Sequence, residues 1–301
     1  MKIKGLITAP FTAFNKSGEL NIPMVDKQAS VYKKNHLGGA FICGTTGESS
    51  ALTMTEKKRL YKAWSKHKSH DFKIIAFLGG TCIQECRELA LYAQECELDA
   101  VALTAPYYFK AANVKALAGF CREVASAVPE MPFYYYHIPS FTGAYFSMYE
   151  LLQEIDVLIP NFAGVKFTYE NMMDYQLCLN FQGGKYDILW GRDEMLLEAL
   201  AIGAEGAVGS TYGYSAPIYM NIILSFRENN LEEARKHQPK ALEFISLLNK
   251  YGGGTGKAFM KAMGLDVGLH RPPVTNLTRK QLKEFQADLE KLDFKAYCCK
   301  I

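Results

Sequence analysis

Lys166 stands in the run NFAGVKFT, residues 161–168. Its neighbours Phe162, Ala163, Val165 and Phe167 predict a short strand buried on both faces, a setting in which an ammonium group needs a reason. Burial disfavours the charged form of a lysine and leaves a free amine that can attack a carbonyl carbon. The plainer alternative is a strand-end lysine that reaches water or pairs with a carboxylate. Three consecutive phenols, Tyr134 to Tyr136, precede His137 in PFYYYH. Strand periodicity sends Tyr134 and Tyr136 to one face and Tyr135 to the other, so Tyr136, nearest the C-terminal end, is the candidate proton carrier. Tyr134 and Tyr135 are expected to pack. His137 is one residue out of phase with Tyr136 and is expected to point away, although an imidazole in reach could act as a base.

Two polar turns complete the candidate chemistry. In GTTGES, residues 44–49, glycines let backbone amides face an anion, and Thr45 and Thr46 add hydroxyls. The turn lacks the GK[ST] ending of a nucleotide-binding loop, so a substrate carboxylate fits it better; an ordinary strand-to-helix turn is the alternative. In GRDE, residues 191–194, Asp193 and Glu194 can accept hydrogen bonds from substrate hydroxyls, or serve as an acidic pair at a helix N-terminus. There is no HExxH, no His/Cys/Asp cluster at ligand spacing and no GxSxG elbow, so neither a metal centre nor a hydrolase triad is expected. GGGTG at 252–256 follows a helical stretch instead of a strand and reads as a hinge or packing loop.

The elements that must carry these residues alternate along the chain. Apolar strands are predicted at 1–10, 40–43, 73–78, 100–104, 132–137, 161–168, 186–190 and 204–210. Helical stretches follow at 22–35 with Asn21 as N-cap, from a capping box at Thr53 to Glu56, and at 83–97, 112–128, 148–157, 171–180, 193–202 and 216–227. Eight such repeats argue for one (β/α)8 TIM barrel over a doubly wound sheet. The barrel is expected to span 1–229, with 230–301 forming a C-terminal helical appendage built from stretches at 231–250, 255–263 and 278–292. In such a barrel the chemistry sits at the C-terminal ends of the strands. That mouth would receive Thr45, Thr46 and Glu48, then Tyr107 and Tyr108, Tyr136 and His137, Lys166 and Thr168, Asp193 and Glu194, and finally Ser210 and Thr211.

A formal charge of +3 with interspersed signs provides no basic stripe, so small molecules are expected as partners in place of nucleic acid or a membrane. The N-terminal segment has no apolar run long enough for a signal peptide, and no stretch approaches a transmembrane helix; a cytoplasmic protein is expected. Eight cysteines without a CxxC pair are expected to be reduced thiols.

Taken together, GTTGE at 44–48, YYYHIPSFTG at 134–143, GVKFT at 164–168, GRDE at 191–194 and GSTY at 209–212 resemble the superfamily of N-acetylneuraminate lyases and dihydrodipicolinate synthases, pyruvate-dependent class I aldolases. The order and spacing match over the whole barrel, and YYYHIP with the acidic pair looks most like the sialic acid lyases. The resemblance implies that Lys166 forms a Schiff base and Tyr136 shuttles the proton, with Thr46 and Tyr108 also in the catalytic set. It implies that Thr45 and Thr46 hold the keto-acid carboxylate, and that Thr168, Gly191, Asp193, Glu194 and Ser210 bind the hydroxylated sugar chain. No cofactor and no metal are implied. Tyr108 resembles a tyrosine placed at or beside a neighbouring subunit's site, which implies a homotetramer. Among the synthases an arginine follows the Pro-Ser of the strand-five motif; Phe141 stands in that substrate-binding place here, which counts against synthase activity. His137 stands where many family members have asparagine, and the residue at Arg192 varies. The expected reaction is reversible cleavage of N-acetylneuraminate to N-acetylmannosamine and pyruvate. A dihydrodipicolinate synthase, a 2-keto-3-deoxy sugar acid aldolase and a non-catalytic keto-acid-binding barrel are the alternatives.

Overall fold

The computed structural model describes residues 1–301, in which eight parallel strands close into a barrel in chain order. The strands are β1 (Gly5–Thr8), β2 (Gly39–Ile42), β3 (Lys73–Gly79), β4 (Ala100–Thr104), β5 (Phe133–His137), β6 (Phe162–Phe167), β7 (Asp187–Trp190) and β8 (Gly206–Gly209). β1 pairs with both β2 and β8, Leu6 lying opposite Ala207, and this pairing closes the ring. Helices surround it, so the architecture is the expected (β/α)8 barrel with C-terminal helices.

Alternation along the strands divides the apolar residues into two clusters. Ile7, Phe41, Ile75, Ala102, Leu189 and Val208 fill the barrel, whereas Leu6, Ile42, Ile74, Val101 and Val165 face the helices. Tyr134 and Tyr135 separate as their spacing requires, the first inside the barrel and the second outside it. The Tyr134 hydroxyl donates to Asp187 Oδ2 at 2.7 Å, and the Ile3 amide donates to the same oxygen at 3.2 Å. This contact lies well below Tyr136 on the same strand and ties the N-terminal segment across the barrel floor.

Local chemistry sets several helix ends. The capping box at Thr53 and Glu56 forms in both directions. The first helix starts at Met24 with Pro23 in the cap position, not directly after Asn21, because proline's fixed φ already suits a helix start. The helix after β8 begins at Tyr212, earlier than the pattern indicated, and is kinked at Ser215 beside Pro217. Beyond it run helices Leu231–Tyr251, Thr255–Met263, Arg279–Lys291 and the short Phe294–Tyr297. Their aromatic rings fasten them to the barrel: Phe259 stacks on Tyr214 at 4.6 Å and meets Phe285 edge-on at 4.9 Å. No helix is long and apolar enough to cross a membrane.

Candidate active site

Lys166 on β6 lies in register with Tyr136 on β5 and Leu189 on β7, so the three side chains share the inner face. The lysine is 4% exposed. Its amine rests against two aromatic faces, Nζ lying 4.0 Å from the Tyr136 ring centre and 4.3 Å from that of Phe41. Such faces attract a cation through the ring quadrupole. A protonated imine on the same nitrogen would keep both contacts.

The Tyr136 ring is held edge-on by Phe41 at 5.4 Å and Phe77 at 5.7 Å, and the Thr104 hydroxyl donates to its backbone carbonyl at 2.9 Å. Packing therefore fixes the ring while its hydroxyl shares a hydrogen bond of 3.4 Å with the Thr45 hydroxyl. Of the three consecutive phenols, Tyr136 alone reaches the mouth.

Above the lysine opens a cavity of about 270 Å³. Thr45, Thr46, Tyr136, Lys166, Thr168, Gly191, Asp193, Glu194 and Ser210 all line it. Two glycines make room for this convergence. A methyl group at Gly191 would fall 2.0 Å from Thr168 Oγ1, and one at Gly209 would fall 2.0 Å from Asp193 Oδ1. Thr168 Oγ1 is buried with no hydrogen-bond partner, a cost that a bound hydroxyl or carboxylate would remove. Asp193 is buried, and its Oδ2 accepts from the Thr211 amide at 3.0 Å and the Thr211 hydroxyl at 2.6 Å. Burial pushes its carboxyl up to about 6 against the pull of those two donors.

Other expected residues lie elsewhere. Glu48 does not face the mouth as its place in the GTTGE turn suggested. It takes a left-handed backbone conformation and points into the interior, where Oε1 meets Lys257 Nζ at 2.8 Å and His270 Nδ1 at 2.9 Å. Its Oε2 accepts the Arg271 amide at 2.9 Å. The acid thus clamps the β2 turn to the C-terminal segment. Tyr108 is 79% exposed and Phe141 71% exposed, and neither lines the cavity of this single chain. His137 points away from Tyr136 as expected, its ring packed on Phe167 at 5.1 Å and Tyr169 at 5.6 Å. Burial holds its pKa down at about 3. No group of three or more His, Cys, Asp or Glu side chains is arranged to hold a metal ion.

The C-terminal segment also contributes to the cavity. Ile245, Leu248 and Asn249 of helix Leu231–Tyr251 line it, together with Arg192 and Thr211. On the same helix, Gln238 grips the GRDE turn: its amide donates to the Glu194 carbonyl at 2.9 Å, and its oxygen accepts the Leu197 amide at 3.1 Å. No motif marks these positions; the sequence shows only an amphipathic helix, whose inner stripe is compatible with either packing or a site wall.

Comparison with known proteins bears on the family and the fold. A profile of the Dihydrodipicolinate synthetase family matches residues 2–292. N-acetylneuraminate lyase B of Xenopus laevis is 40% identical over 246 residues, covering 81% of this chain and 92% of that protein. N-acetylneuraminate lyase of Mus musculus is 35% identical over 299 residues, covering 97% and 93%. The solved structure of Proteus mirabilis N-acetylneuraminate lyase superposes with a TM-score of 0.94 at 35% identity, over 98% of this chain and 100% of that one. With a family match over nearly its whole length and such relatives, the chain belongs to the Dihydrodipicolinate synthetase family.

Proposed function

We infer that the protein is a carbon–carbon lyase that reversibly cleaves N-acetylneuraminate to N-acetylmannosamine and pyruvate through a Schiff base on Lys166. The observation that carries this reading is the buried amine held against Tyr136 and Phe41 at the floor of a hydroxyl- and carboxylate-lined cavity. Relatives named N-acetylneuraminate lyase, matched over most of both chains, support the substrate.

The chemistry needs an electron sink. Breaking the bond between C3 and C4 of a 2-keto-4-hydroxy acid leaves a carbanion beside the former ketone, and a protonated imine accepts that pair far better than a ketone does. The amine of Lys166 attacks C2 of the open-chain substrate and water departs, giving an iminium whose positive charge the two aromatic faces stabilise. Thr45 and Thr46 hold the substrate carboxylate. Tyr136 takes the proton of the 4-hydroxyl, directly or through that carboxylate, as the bond breaks and the aldehyde N-acetylmannosamine leaves. The enamine is protonated at C3, and hydrolysis frees pyruvate and the lysine. On this reading Lys166 is itself the sink, so the reaction calls for no metal or bound cofactor.

Thr168, Gly191, Asp193, Glu194 and Ser210 then receive the hydroxylated chain, with Asp193 and Glu194 as acceptors. Each discriminating contact of this kind is worth about 1–3 kcal/mol. Tyr108 serves a site shared between subunits of a homotetramer; the exposed cluster of Tyr107, Tyr108 and Phe109 supports such an interface. Eight unpaired cysteines, six of them buried, support a reducing, cytoplasmic setting. An assay of pyruvate released from N-acetylneuraminate tests the reading: wild-type protein turns over, Lys166→Ala does not, and pyruvate release by the alanine variant at a substantial rate would refute the Schiff-base assignment.

A further inference from the structure

Arg192 occupies the cavity wall immediately after Gly191, between two carboxylates on different loops. Its Nη2 binds Glu170, in the loop after β6, while its Nε lies 3.2 Å from Glu194 Oε1. The backbone at this point is pinned, because the Trp190 indole N–H donates to the Arg192 carbonyl at 2.5 Å and the Met195 amide to the same oxygen at 3.1 Å. The Arg192 Nε–H is buried yet makes no aligned hydrogen bond. A planar guanidinium suits this place, since its fork can hold two carboxylates that would otherwise repel each other.

We propose that Arg192 is a positioning residue that orients the Glu194 carboxylate for the hydroxylated tail of the substrate and so sets selectivity for tail-bearing 2-keto-4-hydroxy acids; this rests on the lyase reading above. Glu194 has three rotatable side-chain bonds and is only half-buried, so unheld it would sample several directions at the cavity rim. Anchoring one of its oxygens to Arg192 orders the side chain before substrate arrives and leaves the other to accept from a hydroxyl. Glu170 holds the neighbouring Nη2 of the same guanidinium and keeps Arg192 from swinging into the cavity. The effect falls on tail binding, remote from the lysine and the carboxylate site.

Steady-state kinetics of wild type, R192A, E170Q, E194Q and R192A/E194Q test this, with N-acetylneuraminate and with a 4-hydroxy-2-oxo acid lacking the polyhydroxyl tail. R192A should raise KM for N-acetylneuraminate about tenfold while kcat stays within about threefold. E170Q should raise the same KM by a smaller factor. Activity toward the tail-less acid, and borohydride trapping of pyruvate, should match wild type in both variants, which also shows that they fold. Because Arg192 acts through Glu194, the double variant should be no worse than E194Q alone. The proposal is overturned if R192A leaves KM within about twofold of wild type, if the two effects multiply, or if the tail-less acid suffers equally. A wild-type protein that traps pyruvate but releases none from N-acetylneuraminate would instead remove the lyase reading, and the role of Arg192 with it.

Discussion

Lys166 and Tyr136 are register partners on adjacent strands, and the lysine amine lies 4.0 Å from the centre of the tyrosine ring. Strand pairing, not loop conformation, therefore sets the distance between the buried amine and the phenol ring. Rigid elements hold such geometry more tightly than loops do. The loops are left to hold substrate.

Removing either member should separate their roles. Lys166→Ala should lower pyruvate release by about a thousandfold or more, since no other lysine lines the cavity. Tyr136→Phe keeps the ring that packs on Phe41 and Phe77 and loses only the hydroxyl, so it should still trap pyruvate while turnover falls about 100-fold. A Tyr136→Phe rate close to wild type would move the proton to another group.

Phe41 faces both residues, 4.3 Å from the lysine amine and 5.4 Å from the Tyr136 ring. Phe41→Leu retains most of the volume and removes the π face. Kcat should drop about 3- to 30-fold from the lost stabilisation of the iminium, with a much smaller change in melting temperature than Phe41→Ala would cause. An unchanged kcat would show that the ring only packs.

Glu48 and Lys257 form an ion pair with both side chains almost wholly buried. Lys257→Met leaves the buried Glu48 carboxylate with only the His270 ring and the Arg271 amide, so in chemical denaturation it should cost stability, though less than the ~3–5 kcal/mol of a wholly unpaired buried charge. The double variant Glu48→Gln/Lys257→Met should recover part of that loss. Because Glu48 also anchors the turn that carries Thr45 and Thr46, Glu48→Gln should raise KM for the keto acid as well. A loss in the double variant equal to the sum of the two single losses would contradict the pairing.

His137 is buried neutral, with its pKa held down at about 3 against an ordinary value of 6.5. The unfolded chain takes up a proton at this site below pH 6.5 and the folded chain does not, so stability present above pH 6.5 is lost progressively as pH falls toward 3. By pH 4.5 the contribution is about 2–3 kcal/mol. His137→Phe, which suits the aromatic surroundings, should flatten this part of the acid limb in urea titrations at pH 7 and 4.5. Parallel pH dependence in the two proteins would show that His137 is solvated.

Much of this was legible in the sequence, and for physical reasons. Strands buried on both faces read as apolar runs, so the eightfold repeat was visible, and Lys166 stood out because a cation does not belong in such a run. Period two separated Tyr136 from its neighbours. Contacts between distant segments were not legible. Glu48 sat beside two cavity-lining threonines, and nothing local revealed that Lys257, His270 and Arg271 would draw it inward. Gln238 and Asn249 lie on a helix beyond the barrel with no motif, and only folding brings them to the mouth. Tyr108 was placed at the mouth by its position after β4 and Phe141 by resemblance, yet both are exposed and neither lines the cavity of one chain, because the strand-end rule does not say which loop residues turn inward.

The most direct test of the central claim is borohydride reduction of the protein with N-acetylneuraminate, followed by peptide mass mapping and an assay of released pyruvate. The expected result is a reduced pyruvyl adduct on the peptide containing Lys166, absent from Lys166→Ala, together with pyruvate in solution. An adduct on another lysine, or pyruvate release without any adduct, would contradict the account.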